Sequence, residues 1–389
     1  MKLQDICHFI VDCPHSTAPD EGTGIPLIRT PNIGYGRFNL EGVHRVSEKV
    51  YQARCARAVP QNDDIIFARE APAGNAAIIK NYEKMCLGQR TVLIRPNSEK
   101  VCPDFLVYYL LASEQQYKLL GTANGATVAH VNLPTIREMN VDNLPQLEVQ
   151  RKIAGILSAY DDLIENNRKQ IKLLEEAAQR LYKEWFIDLR FPGHEDTPVV
   201  NGLPDGWEKK KLVEIADIIM GQSPKSEFYN SNHDGLPFHQ GVGSYGVRFV
   251  IDETYSSSFT RIAEAGDILF SVRAPVGRLN ITLNKIAIGR GLAAIKHKNN
   301  LQSFLYYMLK EHFFKDDIIG NGSIFASITK DELTNFVLLV PRQDICEKFN
   351  TLTKDIDSKV MILDKQIQSI KETRDRLLPK LMTGELEVE

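Results

Sequence analysis

The sequence predicts an α+β protein in which two β-rich globular modules are each followed by one long helix, and the two helices pair. Three observations carry that prediction: a heptad seam from Ile153 to Trp185, a second seam of the same phase further along, and one layout of short apolar segments repeated ahead of each seam.

The first seam comprises Ile153, Leu157, Tyr160, Ile164, Asn167, Ile171, Leu174, Ala178, Leu181 and Trp185, at alternating steps of four and three. No Pro interrupts it, Gly155 lies near its start, and Arg168, Lys169, Glu175, Glu176, Arg180 and Lys183 fall off the seam. At about 1.5 Å per residue the stretch is a rod of roughly 60 Å, longer than a compact domain needs for its core. Adding 196 to each position gives Phe349, Thr353, Ile356, Val360, Leu363, Ile367, Ile370, Arg374, Leu377 and Leu381. A lone seam is ordinarily an oligomerisation device. Duplication within one chain lets a single polypeptide pair its own rods.

A chain of 389 residues, 43% hydrophobic and 25% charged, has room for two or three domains with real cores. Met1 to Cys13 lacks a basic stretch followed by an apolar run, so the expectation is a cytoplasmic protein without a membrane span. Cys7, Cys13, Cys55, Cys86, Cys102 and Cys346 form no CxxC pair, which suits reduced thiols and no metal site. The net charge of −3 does not advertise nucleic-acid binding, so any such contact must come from a local patch or be shared with partners.

The modules read as copies. Lys2-Leu3, Ile6 and Phe9 are echoed by Lys211-Leu212, Ile215 and Ile218, and Gly24-Ile25-Pro26-Leu27 by Gly235-Leu236-Pro237-Phe238. Gly-rich stretches follow, Thr30 to Phe38 and Gly241 to Phe249. Next come β-type runs, Asp64 to Phe67 and Asp267 to Phe270, each leading to Ala-Pro-x-Gly. Phe105 to Leu111 and Phe304 to Leu309 read as short helices with paired tyrosines, Tyr108-Tyr109 and Tyr306-Tyr307. After Asn124-Gly125 and Asn321-Gly322, each copy is expected to have an apolar strand ending at Pro145 or Pro341. The boundaries are a first module at 1–145, a helix at 146–190, a linker at 191–206, a second module at 207–341 and a helix at 342–389.

No stretch supplies an active site or a bound cofactor. Gly241-Val242-Gly243-Ser244-Tyr245-Gly246 spells GxGxxG but precedes the β-rich Arg248 to Ile251, so no helix N-terminus is offered to a pyrophosphate, and it reads as a turn. Pro204-Asp205-Gly206 with Glu208-Lys209-Lys210 imitates a nuclease motif whose parts normally sit on separate strands; it reads as linker. A phosphate loop, HExxH, and the Asn/Asp-Pro-Pro-aromatic tetrad of amino-methylating enzymes do not occur.

Pro145 to Leu157, Leu163-Ile164-Glu165-Asn166-Asn167-Arg168, Leu181-Tyr182-Lys183-Glu184-Trp185-Phe186 and the tail Leu377 to Leu386 resemble the helical regions of the DNA-specificity (S) subunits of type I restriction-modification systems. The resemblance spans the chain in layout, is specific in the rods and is weak in the modules. It implies two target-recognition domains, each reading one half of a split double-stranded DNA site, and antiparallel rods that dock two methyltransferase (M) subunits. Restriction (R) subunits join through those. It further implies a non-catalytic chain, with S-adenosylmethionine, ATP and Mg held by the partner subunits only.

Candidate DNA contacts are Arg29, Asn32, Arg69, Arg90, Asn124 and Thr127 in the first module, and Gln240, Arg248, Arg273, Arg290, Asn321 and Ser323 in the second. Each lies in or beside a loop flanking the strands; Arg suits guanine edges or phosphates, Asn and Gln suit adenine. For each of them the competing reading is a solvated or structural residue. Tyr35 and Tyr245 are expected to pack on protein. Two other classes stay open: a coiled-coil scaffold without a DNA role, against which the differently decorated loops argue, and a self-sufficient methyltransferase or nuclease, which incubation with labelled S-adenosylmethionine and DNA would reveal.

Overall fold

The computed structural model describes residues 1–82, 84–121, 130–313 and 327–388. The chain divides into two compact units, Met1–Glu165 with Gln368–Glu389, and Asn166–Ile367. Each contains one β-rich module, the first turns of the helix that follows it and the last turns of the other long helix.

In the first unit a five-stranded sheet runs in the order Cys7–Asp12, Thr91–Pro96, Ile65–Ala68, Ala76–Ile78, Tyr35–Gly36, and a three-stranded sheet in the order His44–Val46, Ile25–Ile28, Cys86–Leu87. In the second unit Ala216–Met220, Leu292–His297, Ile268–Ser271 and Leu279–Ile281 form one sheet. Tyr229–Asn230, Tyr255–Ser256, Leu236–His239, Ile286–Ile288 and Ile262–Ala263 form the other. The registers show how closely the modules match. Ile10, Ile94, Ile65 and Ile78 lie opposite one another across four strands of the first, and Ile218, Ile295, Ile268 and Ile281 do so in the second. Four β-branched side chains in one rung favour the pairing, and because the central strands are buried on both faces a one-residue slip would exchange the side chains of two differently packed cores.

Behind each sheet lies a buried helix, Pro103–Leu111 or Gln302–Phe313. Pro103 opens the first, where the missing N–H is no loss. Phe105 through Leu111 and Phe304 through Leu309 are buried, so these runs are enclosed on every side. The structure pairs their tyrosines differently from the sequence. Phe105-Leu106 aligns with Phe304-Leu305, so Tyr108 matches Tyr307, while Tyr109 and Tyr306 have no tyrosine opposite.

The long helices span Leu147–Phe186 and Gln343–Thr383. Of the seam positions Ile153, Leu157, Ile164, Asn167, Ile171, Ala178, Trp185, Phe349, Thr353, Val360, Leu363, Ile367, Arg374 and Leu381 are buried; Tyr160, Leu174, Leu181, Ile356, Ile370 and Leu377 are half-buried. A second buried stripe, with Ala154, Asp161, Tyr182 and Phe186 on one helix and Cys346 and Leu378 on the other, lies beside the seam. In the first unit Ile153, Ala154 and Leu157 share a core with Phe105, Ile94, Leu378 and Leu381. In the second, Tyr182, Trp185 and Phe186 close on Phe349 at ring-centroid distances of 5.7, 5.9 and 5.1 Å, with Phe304 alongside. No described helix is long and apolar enough to cross a membrane.

Two segments differ from expectation. The second module has its terminal strand, Val337–Val340 paired with Glu208–Lys211, but residues before Pro145 make only a bridge from Asn140 to Lys2. There Asp142 and Asn143 favour a turn, and Asn143 adopts φ +54. The interval 191–206 holds a hairpin of Val199–Val200 with Leu203–Pro204, and Phe191 stacks on Trp207 at 5.4 Å within the second unit's core.

Candidate nucleic-acid interface

In both modules one edge is built from the end of a parallel strand and a glycine loop beside it. Ile28 accepts from Gly88 N at 2.7 Å, and His239 accepts from Gly289 N at 2.8 Å. A Cβ on Gly88 would sit 2.7 Å from Arg29 Cγ and 2.9 Å from the Ile28 oxygen; one on Gly289 would sit 2.9 Å from Gln240 Cα. Glycine is required there because two backbone segments nearly touch. The close approach places Arg29 beside the Gly88-Gln89-Arg90 loop, and Gln240 beside Gly289-Arg290-Gly291.

The matched edges carry different groups. In the first module Arg90, at φ +64, is exposed and its Nε lies 2.8 Å from Glu70. Glu70 also meets His130 Nδ1, whose Nε2 lies 2.9 Å from Arg69. In the second module Gly291 stands where Arg90 does, and Arg290, one position earlier, is exposed with its backbone N on Ser223 Oγ at 3.1 Å. The position of Glu70 is taken by Arg273, exposed and bridged to Ser327. An acid in one module is therefore a base in the other. Beneath the second edge the buried His239 joins Ser244 Oγ at 2.7 Å to Asp252 at 2.9 Å. That chain steadies the Val242–Ser244 turn, the GxGxxG segment, which closes through Gly246 N on Phe249 O at 3.0 Å.

The other candidates fall into three groups. Asn124, Thr127, Asn321 and Ser323 lie outside the described residues. Asn32 and Arg69 are buried and engaged with protein: Asn32 accepts from Arg29 N at 3.1 Å and donates to Asn39 O at 3.1 Å, and Arg69 Nε donates to Val131 O at 2.8 Å. Arg248 is 1% exposed, so a base edge cannot reach it. Its guanidinium donates to Glu175 at 3.2 Å and Asp357 at 2.7 Å and lies 3.4 Å from the Tyr306 ring centroid. A Gly-rich context suggested a loop tip, and the sequence alone does not reveal that the turn is folded inward. Tyr35 and Tyr245 pack on protein, their hydroxyls donating to Leu111 O at 3.1 Å and Leu269 O at 3.0 Å. What remains on the surface is Arg29, half-buried, with Arg90, Gln240, Arg273 and Arg290 exposed.

Sequence reasoning missed a set of groups beneath each module. Tyr108 donates to Asp161 Oδ2 at 2.6 Å, and Asp161 pairs with Arg374. Tyr307 donates to Asp357 Oδ1 at 2.9 Å, where Arg248 also binds. Burial and the adjacent Asp161 hold the Tyr108 hydroxyl well above its ordinary pKa, so it stays a donor. The signal was available, since Asp161 and Asp357 differ by the same 196 that relates the seams. The six cysteines are free thiols, and burial pushes those of Cys7, Cys86 and Cys346 up to about 12. Among the described residues no cluster of His, Cys, Asp and Glu could hold a metal ion.

Comparison with known proteins decides the family. The profile of the type I restriction modification DNA specificity domain matches residues 1–176 and again 204–372. The chain belongs to that family. It is 30% identical over its whole length to the MjaX specificity subunit of Methanocaldococcus jannaschii, covering 93% of that protein. To the type I restriction enzyme MjaIX specificity subunit of the same organism it is 29% identical, again with all of this chain and 93% of the relative covered. The crystal structure of a type I restriction-modification S subunit from M. genitalium superposes with TM-score 0.53 at 16% identity, covering 98% of this chain and 95% of that one, which shows the shared fold. A DNA-specificity chain therefore carries its two family domains in tandem, and the sequence duplication coincides with them.

Proposed function

We propose that this chain is the DNA-reading specificity subunit of a type I restriction-modification complex, with residues 1–145 and 207–341 each reading one half of a split, asymmetric site. The observation that carries the reading is the pair of matched edges, alike in backbone and unlike in side chains: Arg29, Glu70 and Arg90 against Gln240, Arg273 and Arg290. Shared scaffolds with different donors and acceptors suit two half-sites of different sequence. Arg90 is held by Glu70 until a guanine edge or phosphate competes for it.

Residues 146–190 and 342–389 act as an antiparallel coiled coil that sets the gap between half-sites, with 191–206 as the connection. In support, Asn167 donates to Gln366 at 3.4 Å while Trp185 meets Phe349 at 5.9 Å, so one helix is traversed backwards as the other runs forwards. Exposed apolar residues on the helices, Ile156, Leu163 and Leu173 on one and Leu352 and Ile362 on the other, suit docking of two methyltransferase subunits, with restriction subunits joining through them. The chain works in the cytoplasm and supplies recognition; S-adenosylmethionine, ATP and Mg belong to its partners.

The test is co-expression with a type I M subunit, followed by mapping of methylated adenines. One bipartite motif with a fixed gap is expected. Methylation that needs no second half-site would refute the reading, and S-adenosylmethionine turnover by the pure chain would favour a self-sufficient enzyme.

A further inference from the structure

Each unit has one buried arginine where its module meets its long helices, and the two arginines come from opposite sides. In the first unit the donor is on a helix: Arg374 pairs with Asp161 of the other long helix and meets the module at the Tyr35 ring, 4.7 Å from its centroid. In the second the donor is on the module: Arg248 reaches Asp357 and Glu175 and stacks on Tyr306. The aspartates correspond by the 196-residue offset, and each accepts a tyrosine hydroxyl from the helix behind its sheet.

The remaining positions are complementary. The turn closed by Gly34 N on Arg37 O corresponds to the one closed by Gly246 N on Phe249 O, so Arg248 occupies the place of Gly36. A Cβ on Gly36 would lie 2.7 Å from Asp161 Oδ2 and 3.2 Å from Tyr108 Cε1, so no side chain fits at that position, and the next residue, Arg37, reaches Asp162 instead at 3.0 Å. The counterpart of Arg374 is Ala178, fully buried in the second unit. Where the module gives glycine the helix gives arginine, and where the module gives arginine the helix gives alanine.

We propose that Arg374 and Arg248 are positioning residues that fix the tilt of each recognition module on its helical support, Arg374 contributed by the helix and Arg248 by the module. The proposal rests on the reading that each module presents its edge to one half-site. A guanidinium held by directional charge-assisted bonds and stacked on a ring restricts rotation in a way that an apolar contact does not. Tilt decides how far the edge is from the other half-site, so the anchors act on gap selectivity, while the loops choose the bases.

The experiment maps methylation by the full chain co-expressed with its M subunit, comparing wild type, Arg248→Met and the transplant Arg248→Gly with Ala178→Arg. In Arg248→Met the bases read in both halves are expected to stay the same, while methylation at sites one base pair too long or too short rises about tenfold, ~1.4 kcal/mol of lost discrimination. The transplant moves the second unit's cation to the helix, as in the first unit, and is expected to restore the single gap. Unchanged gap selectivity in Arg248→Met overturns the proposal, as does a relaxed gap that the transplant fails to repair. Should Arg248→Met be insoluble, the transplant decides alone: wild-type gap selectivity supports the anchor, and a relaxed or insoluble transplant defeats it. A wild-type complex that methylates no two-part site defeats the recognition reading itself, an outcome distinct from these.

Discussion

The two modules have the same four-isoleucine rung, the same glycine-backed edge and the same tyrosine-to-aspartate bond, yet their surface donors and buried arginines differ. The difference is selective. What holds strands in register is repeated, because the central strands are buried on both faces and a slip would exchange the side chains of two differently packed cores. What faces solvent, or can be supplied from either of two elements, has diverged. Divergence therefore marks where surface chemistry can vary and packing has alternatives, and repetition marks where the fold is determined.

The strongest way to break the comparison is to exchange a module. Replacing residues 1–145 with the corresponding segment of a relative should change one half of the methylated motif completely and leave the other half and the gap as they were. A change in both halves would show that the modules do not read independently. A second test weighs the two anchors. Arg374→Met leaves Asp161 buried and without its cation, a loss of about 3–5 kcal/mol and a fall in melting temperature on the order of 10 °C. Arg248→Met strands two carboxylates, Asp357 and Glu175, although Lys310 still reaches Glu175 at 3.2 Å. Its melting temperature should fall at least as far, and calorimetry of the two variants gives the ranking.

Acid should separate the modules. Burial lowers His297 from 6.5 to about 4, and its Nδ1 accepts from Asn299 N at 3.0 Å, which requires the unprotonated ring nitrogen. Because the unfolded state binds the proton more readily, stability is full above about pH 6.5 and falls as pH drops toward 4. The loss approaches about 3 kcal/mol. The strand register puts Pro96 at the matching place in the first module, which has nothing there to titrate. Amide exchange followed from pH 7 to 4 should show protection falling first in residues 207–313; equal loss in both modules would dissociate the effect from His297.

The smallest effect concerns Asn167, 7% exposed, with one long hydrogen bond to the exposed Gln366. Asn167→Leu should raise the melting temperature by the equivalent of about 1 kcal/mol while permitting slipped or intermolecular pairing, seen as mixed oligomers in light scattering. A destabilised yet homogeneous variant would assign Asn167 to a docking contact instead.

Much of this architecture was legible because periodicity is a property of sequence. The seams placed both long helices, and the Asp-Ile-Ile-Phe and Asp-Ile-Leu-Phe runs marked the central strands. What depends on the third dimension was not legible. Arg248 in a Gly-rich stretch looks like a loop tip, and only the fold of the turn sends it under the module. Tyr306-Tyr307 looks like Tyr108-Tyr109 until the helix phase shows that a single tyrosine of each pair is equivalent. The apolar run before Pro145 resembles a strand, but Asn143 turns the backbone away.

The glycine at position 36 and the alanine at position 178 also act as a compatibility code for shuffling. A module that carries its own arginine, moved onto the Arg374 support, would bring two cations to one aspartate. A module with Gly36, moved onto the Ala178 support, would leave Asp357 without the arginine it binds. Recombination between the two halves of such a gene would then be penalised in both directions, whereas an exchange that keeps the module's residue matched to its helix would not. New specificities would then be acquired by trading first modules for first and second for second, and the two slots would evolve as separate lineages within one chain.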